Sequence, residues 1–459
     1  MIERDLKRYA SRFRDYTELR FQQNRNLDIN LLNGELTSNR RTSLGGISAR
    51  VRKNGSWGFA SAPGMDGDGA AYCIRTAADN AGFLAARRGE GKGWPKTPPV
   101  RSGSEIRTLK PKKTHREIMD FLRELDSHIV SSCRNLKSRR LWFGALEYEK
   151  SLLTSDGSEV YSMIPRTRVI VFLSGEKDGK KADVNVMLGN GSQFEDAFPD
   201  RGALFAEIDA LGEHLNKKLD GIYPEAGTWD CVLAPELSGL LAHEAVGHTV
   251  EADNVMAGAV TKELMGCLVA DPMVGLSDFA YSAFGKPCPV PLLADDEGIE
   301  AKDAEIIKDG ILNSFLHNRE SAARFGAVPS GNARASLFSD EPVIRMRNTA
   351  ILPGRSRYED LISSVDDGFL LLINGNGQAD STGEFTFGVI VGYEIKKGRI
   401  GRAIRDTTVS GVAYDVLRSV SMVSDRFKWL HGGMCYKPQL VTVGMGGPDL
   451  RCRLRVGGN

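Results

Sequence analysis

Residues 229–248 read WDCVLAPELSGLLAHEAVGH. Trp229 to Leu233 carry the signal of a short apolar strand, and Pro235 then opens a helix, because proline is well tolerated in a first helical turn. That helix carries His243-Glu244-Ala245-Val246-Gly247-His248. Two imidazoles bracketing a carboxylate are the smallest set of groups for a hydrolytic metal site: the histidines hold a cation and the carboxylate activates water. In the common zinc helix the histidines stand four apart, within ~40° of each other around the helix; five positions rotate the second by ~140° instead. A π-turn inserts one residue and restores the facing, and Gly247 is where the backbone accepts it most easily. The spacing therefore predicts a bulged helix near Gly247, with His243 and His248 as metal ligands and Glu244 as the catalytic carboxylate.

Downstream of this helix, glycine and β-branched residues dominate. Strands are expected over 369–374, 385–394, 399–404 and 440–443, separated by turns at Asn374-Gly375, Gly377-Gln378 and Lys397-Gly398. Upstream, residues 4–24 place apolar positions at helical spacing among charges, which predicts a helix. A hairpin follows at Asn33-Gly34, a second turn at Lys53-Asn54-Gly55-Ser56, and an alanine-rich helix over 70–86. The proline-containing and basic stretch 89–113 reads as a solvated connector, with a binding strip for an acidic partner as the sharper alternative. Helices over 115–136 and 203–219 flank strands at 141–148, 169–174 and 183–188. The fold class expected is α+β: an N-terminal mixed α/β domain over 1–222, subdivided near 90–113, then a largely antiparallel sheet or barrel-like domain over 223–459 that carries the metal-binding helix. No fixed-period repeat interrupts this plan.

Length and composition fit that division, since 459 residues exceed one ordinary core. Sixty basic and fifty-nine acidic residues leave a net charge of +1, which argues against nonspecific attraction to nucleic acid or an acidic membrane. The charged start, MIERDLKRYASRFRDYTELR, has no apolar core of a signal peptide, and no apolar run approaches ~18 residues, so a cytoplasmic location and no membrane contact are expected. Seven cysteines at irregular intervals, without a C-x-x-C pair, argue against a disulfide framework.

Catalytic zinc usually takes three protein ligands. Two histidines therefore need a third donor, and Cys435, Glu251, Asp253, His317 and His431 are the candidates. Glu251, three residues after His248, suits the role of acceptor for an imidazole N–H. Cys435 lies in a turn-rich segment, His431-Gly432-Gly433-Met434-Cys435-Tyr436-Lys437-Pro438, with Lys437 near enough in sequence to favour a thiolate. Arg334, Asn332 and Tyr393 are candidate residents of the cleft.

The motif 243–248 with Glu251 strongly resembles the metal-binding helix of the TldD/PmbA family of metallopeptidases, also described as modulators of DNA gyrase. Asp295-Asp296-Glu297-Gly298, residues 307–312, Gly331-Asn332-Ala333-Arg334, Met346-Arg347-Asn348-Thr349, Gly377-Gln378 and Thr382-Gly383-Glu384-Phe385 look like family segments in family order. Gly45 to Arg52, with Trp57-Gly58-Phe59-Ala60, resembles the first-domain pattern. The resemblance implies a Zn2+ ion held by His243, His248 and Cys435, and a peptidase acting on unfolded peptides, with Glu244 activating the hydrolytic water. It also implies a homodimer or a heterodimer with a related subunit lacking the motif. A noncatalytic protein-interaction or regulatory role, and a zinc amidase acting on small molecules, are the competing readings. One departure is visible: Cys435-Tyr436-Lys437-Pro438-Gln439 replaces a Cys-Gly-Lys followed by Gly-Gln and is one residue shorter, which predicts an altered loop at the third ligand.

Overall fold

Two Asn-Gly turns set the register of the first sheet. In the computed structural model, which describes residues 2–88, 97–430 and 433–457, Asn33 and Gly34 have φ of 52° and 87°, and Asn54 and Gly55 have 45° and 84°. Positive φ at both central residues is the twist-matched hairpin geometry that Asn and Gly adopt most cheaply. These turns join β1 (Tyr16–Leu32), β2 (Glu35–Lys53) and β3 (Ser56–Pro63). After α1 (Gly67–Arg88), β4 (Arg101–Glu105) and α2 (His115–Ser132) come β5 (Leu136–Thr154), β6 (Glu159–Lys177) and β7 (Lys180–Asn190), then α3 (Phe194–Ala197) and α4 (Arg201–Leu219). The strand order is β3-β2-β1-β5-β6-β4, with β7 also on β6. Among the described residues of this sheet, β4 alone pairs in parallel, with β6.

The helix expected over 4–24 is not formed. A 3-10 turn, Lys7–Arg12, precedes β1, which runs on from Tyr16. Its odd-numbered side chains face helices: Leu19 and Phe21 lie in the core with Ala77 and Ala81 of α1, and Leu27, Ile29 and Leu31 in the core of α2 and α4. Its even-numbered side chains, Glu18, Arg20, Gln22 and Asn24, are also buried, against the second half of the chain. Arg20 donates to the Asp340 carbonyl at 2.6 Å, Gln22 and Asn24 to Ser336 O, and Arg50 bridges Glu18 and Glu297. Charges that imitate a solvated helix face are thus buried by distant partners, and tertiary pairing overrides the local period.

The connector falls partly outside the described residues. Of the rest, Lys110, Lys112 and Lys113 pair with Asp196, Glu195 and Glu117, so these basic groups are neutralised locally. α2 begins where expected, with Thr114 and Glu117 forming a reciprocal cap.

In the second half, β8 (Gly227–Leu233) joins Asp367–Ala379, Glu384–Lys396, Thr407–Val412 and Leu450–Val456 in a closed five-stranded ring. A six-stranded sheet stands beside it, including Leu276–Phe279, Asn348–Ile351 and Gly444–Gly447. The class is α+β with a largely antiparallel, barrel-containing second half, as expected. The turns expected at Asn374-Gly375 and Gly377-Gln378 lie inside Asp367–Ala379 instead, the first where the register shifts between Asn374 and Gly377, the second in regular pairing with Phe387 and Thr386. The chain reverses at Asp380 to Gly383, where the Asp380 carboxylate accepts from the amides of Thr382 and Glu384. Lys397-Gly398 turns as expected, with φ of 51° and 69°. Among the described residues no helix is long and apolar enough to cross a membrane.

Candidate metal centre

The motif helix enters the largest core cluster, with Leu237, Leu240, Leu241, Ala242, Ala245 and Val246 all buried. A helix apolar on every side belongs inside, and this one touches both the barrel and the six-stranded sheet. It takes three forms in succession: α5 (Pro235–Leu240), a π-turn over Leu241–Val246, and a 3-10 turn over Gly247–Val250. The Gly247 N–H reaches the carbonyls of both Ala242, five back, and His243, four back. One residue is thereby inserted between the histidines, and their rings come to 5.2 Å between centroids.

Gly247 has another task than the one its sequence position suggests. Its φ of −55° and ψ of −45° are ordinary helical values that any residue adopts. A methyl at its Cα would instead overlap the sulfur of Met346. Gly247→Ala is expected to destabilise the protein by ~1–3 kcal/mol through overpacking, read from the urea midpoint. An unchanged midpoint would mean that Met346 yields without cost.

The third member of the cluster arrives on a hairpin, Met434–Lys437 with Gln439–Thr442, in which Cys435 faces Val441. His243, His248 and Cys435 offer ligand atoms that all lie within 4.8 Å of one another. The Cys435 Sγ stands 3.2 Å from His248 Nε2. Tyr436 continues the strand in extended conformation and is 73% exposed, so the shorter segment asks no positive φ of it.

Behind His248 stands Glu251, fully buried, which accepts from His248 Nδ1 at 3.0 Å, Lys437 Nζ at 2.9 Å and Asn254 Nδ2 at 3.3 Å. Lys437 also bonds Asp253 at 2.7 Å, so one ammonium ties the hairpin to the helix. Burial would raise the Glu251 carboxyl, yet His248 and Lys437 hold it below its ordinary value. Burial opposes the His248 imidazolium, but hydrogen bonds with Cys435 and Glu251 outweigh it and push the group up to about 10. His243 differs: burial, then the positive charge of His248, Arg345 and Arg334, holds it neutral. Both of its ring nitrogens are buried, and among the described residues neither has a hydrogen-bond partner. Glu244 is half-buried, its Oε2 3.7 Å from His248 Nε2, and burial raises its carboxyl.

Other expected residents lie elsewhere. His317 bonds Ser321 and packs on Phe315 and Phe325, where burial lowers it to about 4. Asp253 serves as a partner of Lys437, and His431 lies outside the described residues. Asn332 is buried on Asp278 and the Arg345 carbonyl, while Tyr393 bonds His214 in another core. Arg334 spends both amino groups on the carbonyls of Met346 and Thr442. None of these three is a free donor to a substrate oxyanion. The bridging role of Lys437 and the carbonyl contacts of Arg345 leave no mark in the sequence, since both depend on chain segments far apart.

A family model described as PmbA/TldA metallopeptidase C-terminal domain matches residues 226–458, and one described as PmbA/TldA metallopeptidase domain 1 matches residues 17–81. The chain is similar to a metalloprotease of Archaeoglobus fulgidus, 31% identical over 96% of this chain and 99% of that protein. It is also similar to the zinc metalloprotease TldD homolog of Saccharolobus solfataricus, 28% identical over 75% of this chain and 77% of that one. The fold is that of TldE from Thermococcus kodakarensis, with a TM-score of 0.75, 16% identity and 98% of each chain covered. Matched over half its length by the C-terminal family model and nearly end to end by the Archaeoglobus protein, the chain belongs to the PmbA/TldA metallopeptidase family, the TldD/PmbA family that its motif helix resembles.

Proposed function

We propose that this protein is a zinc-dependent peptidase acting on unfolded peptides, with His243, His248 and Cys435 holding the ion and Glu244 as general base. The observation that carries the reading is His243, whose two ring nitrogens are buried beside His248 and Cys435 and find no hydrogen-bond partner among the described residues. A buried polar group left unsatisfied costs ~1–3 kcal/mol, and a cation in the cluster relieves it. Two imidazoles and a thiolate form a donor set that suits zinc and disfavours magnesium and calcium. Bound there, zinc would supply Lewis acidity to the scissile carbonyl and to water.

The chain's own groups divide the remaining work. Glu251, held by Lys437, accepts a hydrogen bond from the Nδ1–H of His248 and leaves Nε2 facing Cys435. Glu244 takes the proton of the attacking water and returns it to the leaving amine, and its raised pKa moves it toward neutral pH, where such transfer is efficient. Across the hairpin, where Met434 alternates with Cys435, a cavity of about 740 Å³ is lined by Trp142, Tyr148, Arg168 and Leu440. Its size suits several residues of an extended peptide. The assembly proposed is a dimer of two copies or of this chain with a related subunit.

Metal analysis is expected to give one zinc per chain, and a chelator is expected to abolish cleavage of an unstructured peptide until zinc is restored. Zinc-loaded protein that cuts small amides but no peptide would make it an amidase. Protein that cuts neither and still captures a partner chain would make it an interaction protein.

A further inference from the structure

Three buried arginines converge on the hairpin that carries Cys435. Arg166, from β6, donates to Gly433 O at 2.7 Å and Val443 O at 3.1 Å. Arg334 donates to Thr442 O at 2.7 Å. Arg345 donates to Cys435 O at 2.7 Å, Lys437 O at 3.0 Å and Gln439 O at 2.6 Å. Six carbonyls of residues 433–443 are thus held by guanidinium groups: those of Gly433, Cys435, Lys437, Gln439, Thr442 and Val443. The three side chains are 4%, 8% and 0% exposed. Among the described residues, no ion pair joins any of them to a carboxylate.

A buried cation is expensive without compensation, so six carbonyl dipoles stand here in place of a counter-ion. An apolar filler would occupy the same space at less cost, but it would not orient the strand. Arginine does, because its planar fork fixes the directions of the acceptors it meets. Cys435 and Lys437 are two apart on one strand, so their side chains share a face. Arg345 holds both of their carbonyls. One guanidinium therefore sets the roll that aims Sγ at His248 and Nζ at Glu251. The same contacts close these carbonyls to the main chain of a substrate, so strand addition at this edge is blocked.

We propose that Arg345, seconded by Arg166 and Arg334, is a positioning residue that forms the Cys435 arm of the site before any metal arrives. This rests on the zinc reading above. Binding then closes no loop and orders no segment, unlike sites whose ligands assemble only around the ion.

The test is hydrogen exchange of the full-length protein, with and without zinc, for wild type, Arg345→Lys and Arg345→Met. Zinc affinity is measured by chelator competition, and thiolate-to-cobalt absorption is recorded on the Co2+-loaded proteins. In the wild type, segment 433–443 should be as protected without zinc as with it. Arg345→Lys keeps the charge but not the fork; it should speed exchange in that segment alone, lower zinc affinity by ~10- to 100-fold as loss of ligand support does, and weaken the cobalt–thiolate band. A wild-type hairpin that exchanges freely until zinc is added would overturn the proposal, whether or not the variants fold. So would Arg345→Lys with wild-type affinity and an unchanged band. A hairpin protected without metal and loosened by Arg345→Lys, in a protein that binds no zinc, would leave the clamp standing and remove the zinc reading.

Discussion

Glu244→Gln is expected to lower kcat on an unstructured peptide by ~10²- to 10⁴-fold, the contribution of a positioned general base, while zinc content stays at the wild-type level. The substitution keeps the shape of the side chain and removes only its basicity. Because Glu244 is half-buried and its closest ionic contact is the 3.7 Å approach to His248, the structure loses little when that charge goes. Binding of peptide should survive, so KM should change far less than kcat, the pattern of an interaction made in the transition state. Equal losses in zinc and activity would instead make Glu244 a support of the ion. Full activity would remove the general-base assignment.

Cys435→Ala is expected to weaken zinc by more than ~100-fold, beyond the 10- to 100-fold cost of losing an outer partner of a ligand, and to abolish cleavage with it. Cys435 is 3% exposed but small, and its hairpin is held by backbone contacts that the substitution leaves intact. Stability of the metal-free variant, read from a urea midpoint, should therefore lie within ~1–2 kcal/mol of wild type, a modest cavity term. Undiminished zinc in this variant would hand the third position to another donor.

What was legible in the sequence follows from how local each feature is. Asn33-Gly34 and Asn54-Gly55 declare their turns because positive φ is a property of those residues themselves. The bulge follows from helix arithmetic on His243 and His248 alone. β1 is a strand where its local period suggests a helix, because Arg20 and Gln22 are buried by acceptors more than three hundred positions away, and nothing near them in sequence distinguishes a buried polar group from a solvated one. The turn expected at Asn374-Gly375 gives way for a related reason: the same residues that reverse a chain also relax a long strand into a bulge, while Gly377-Gln378 simply continues the strand beyond it. Arg345 and Arg166 leave no signature in the sequence because their targets are backbone carbonyls, which every residue possesses. No pattern of side chains announces them.

By itself, then, the sequence determined that two imidazoles meet with a carboxylate between them, since their mutual placement depends on a single turn of backbone. The sequence offered Cys435 among several third donors, with the family resemblance favouring it; the tertiary structure brings it, 187 positions beyond His248, to that histidine, joins the two arms through Glu251 and Lys437, and sets Gly247 against Met346. Local spacing encodes local geometry, whereas the meeting of a helix and a distant hairpin is set by the packing of the whole core around them.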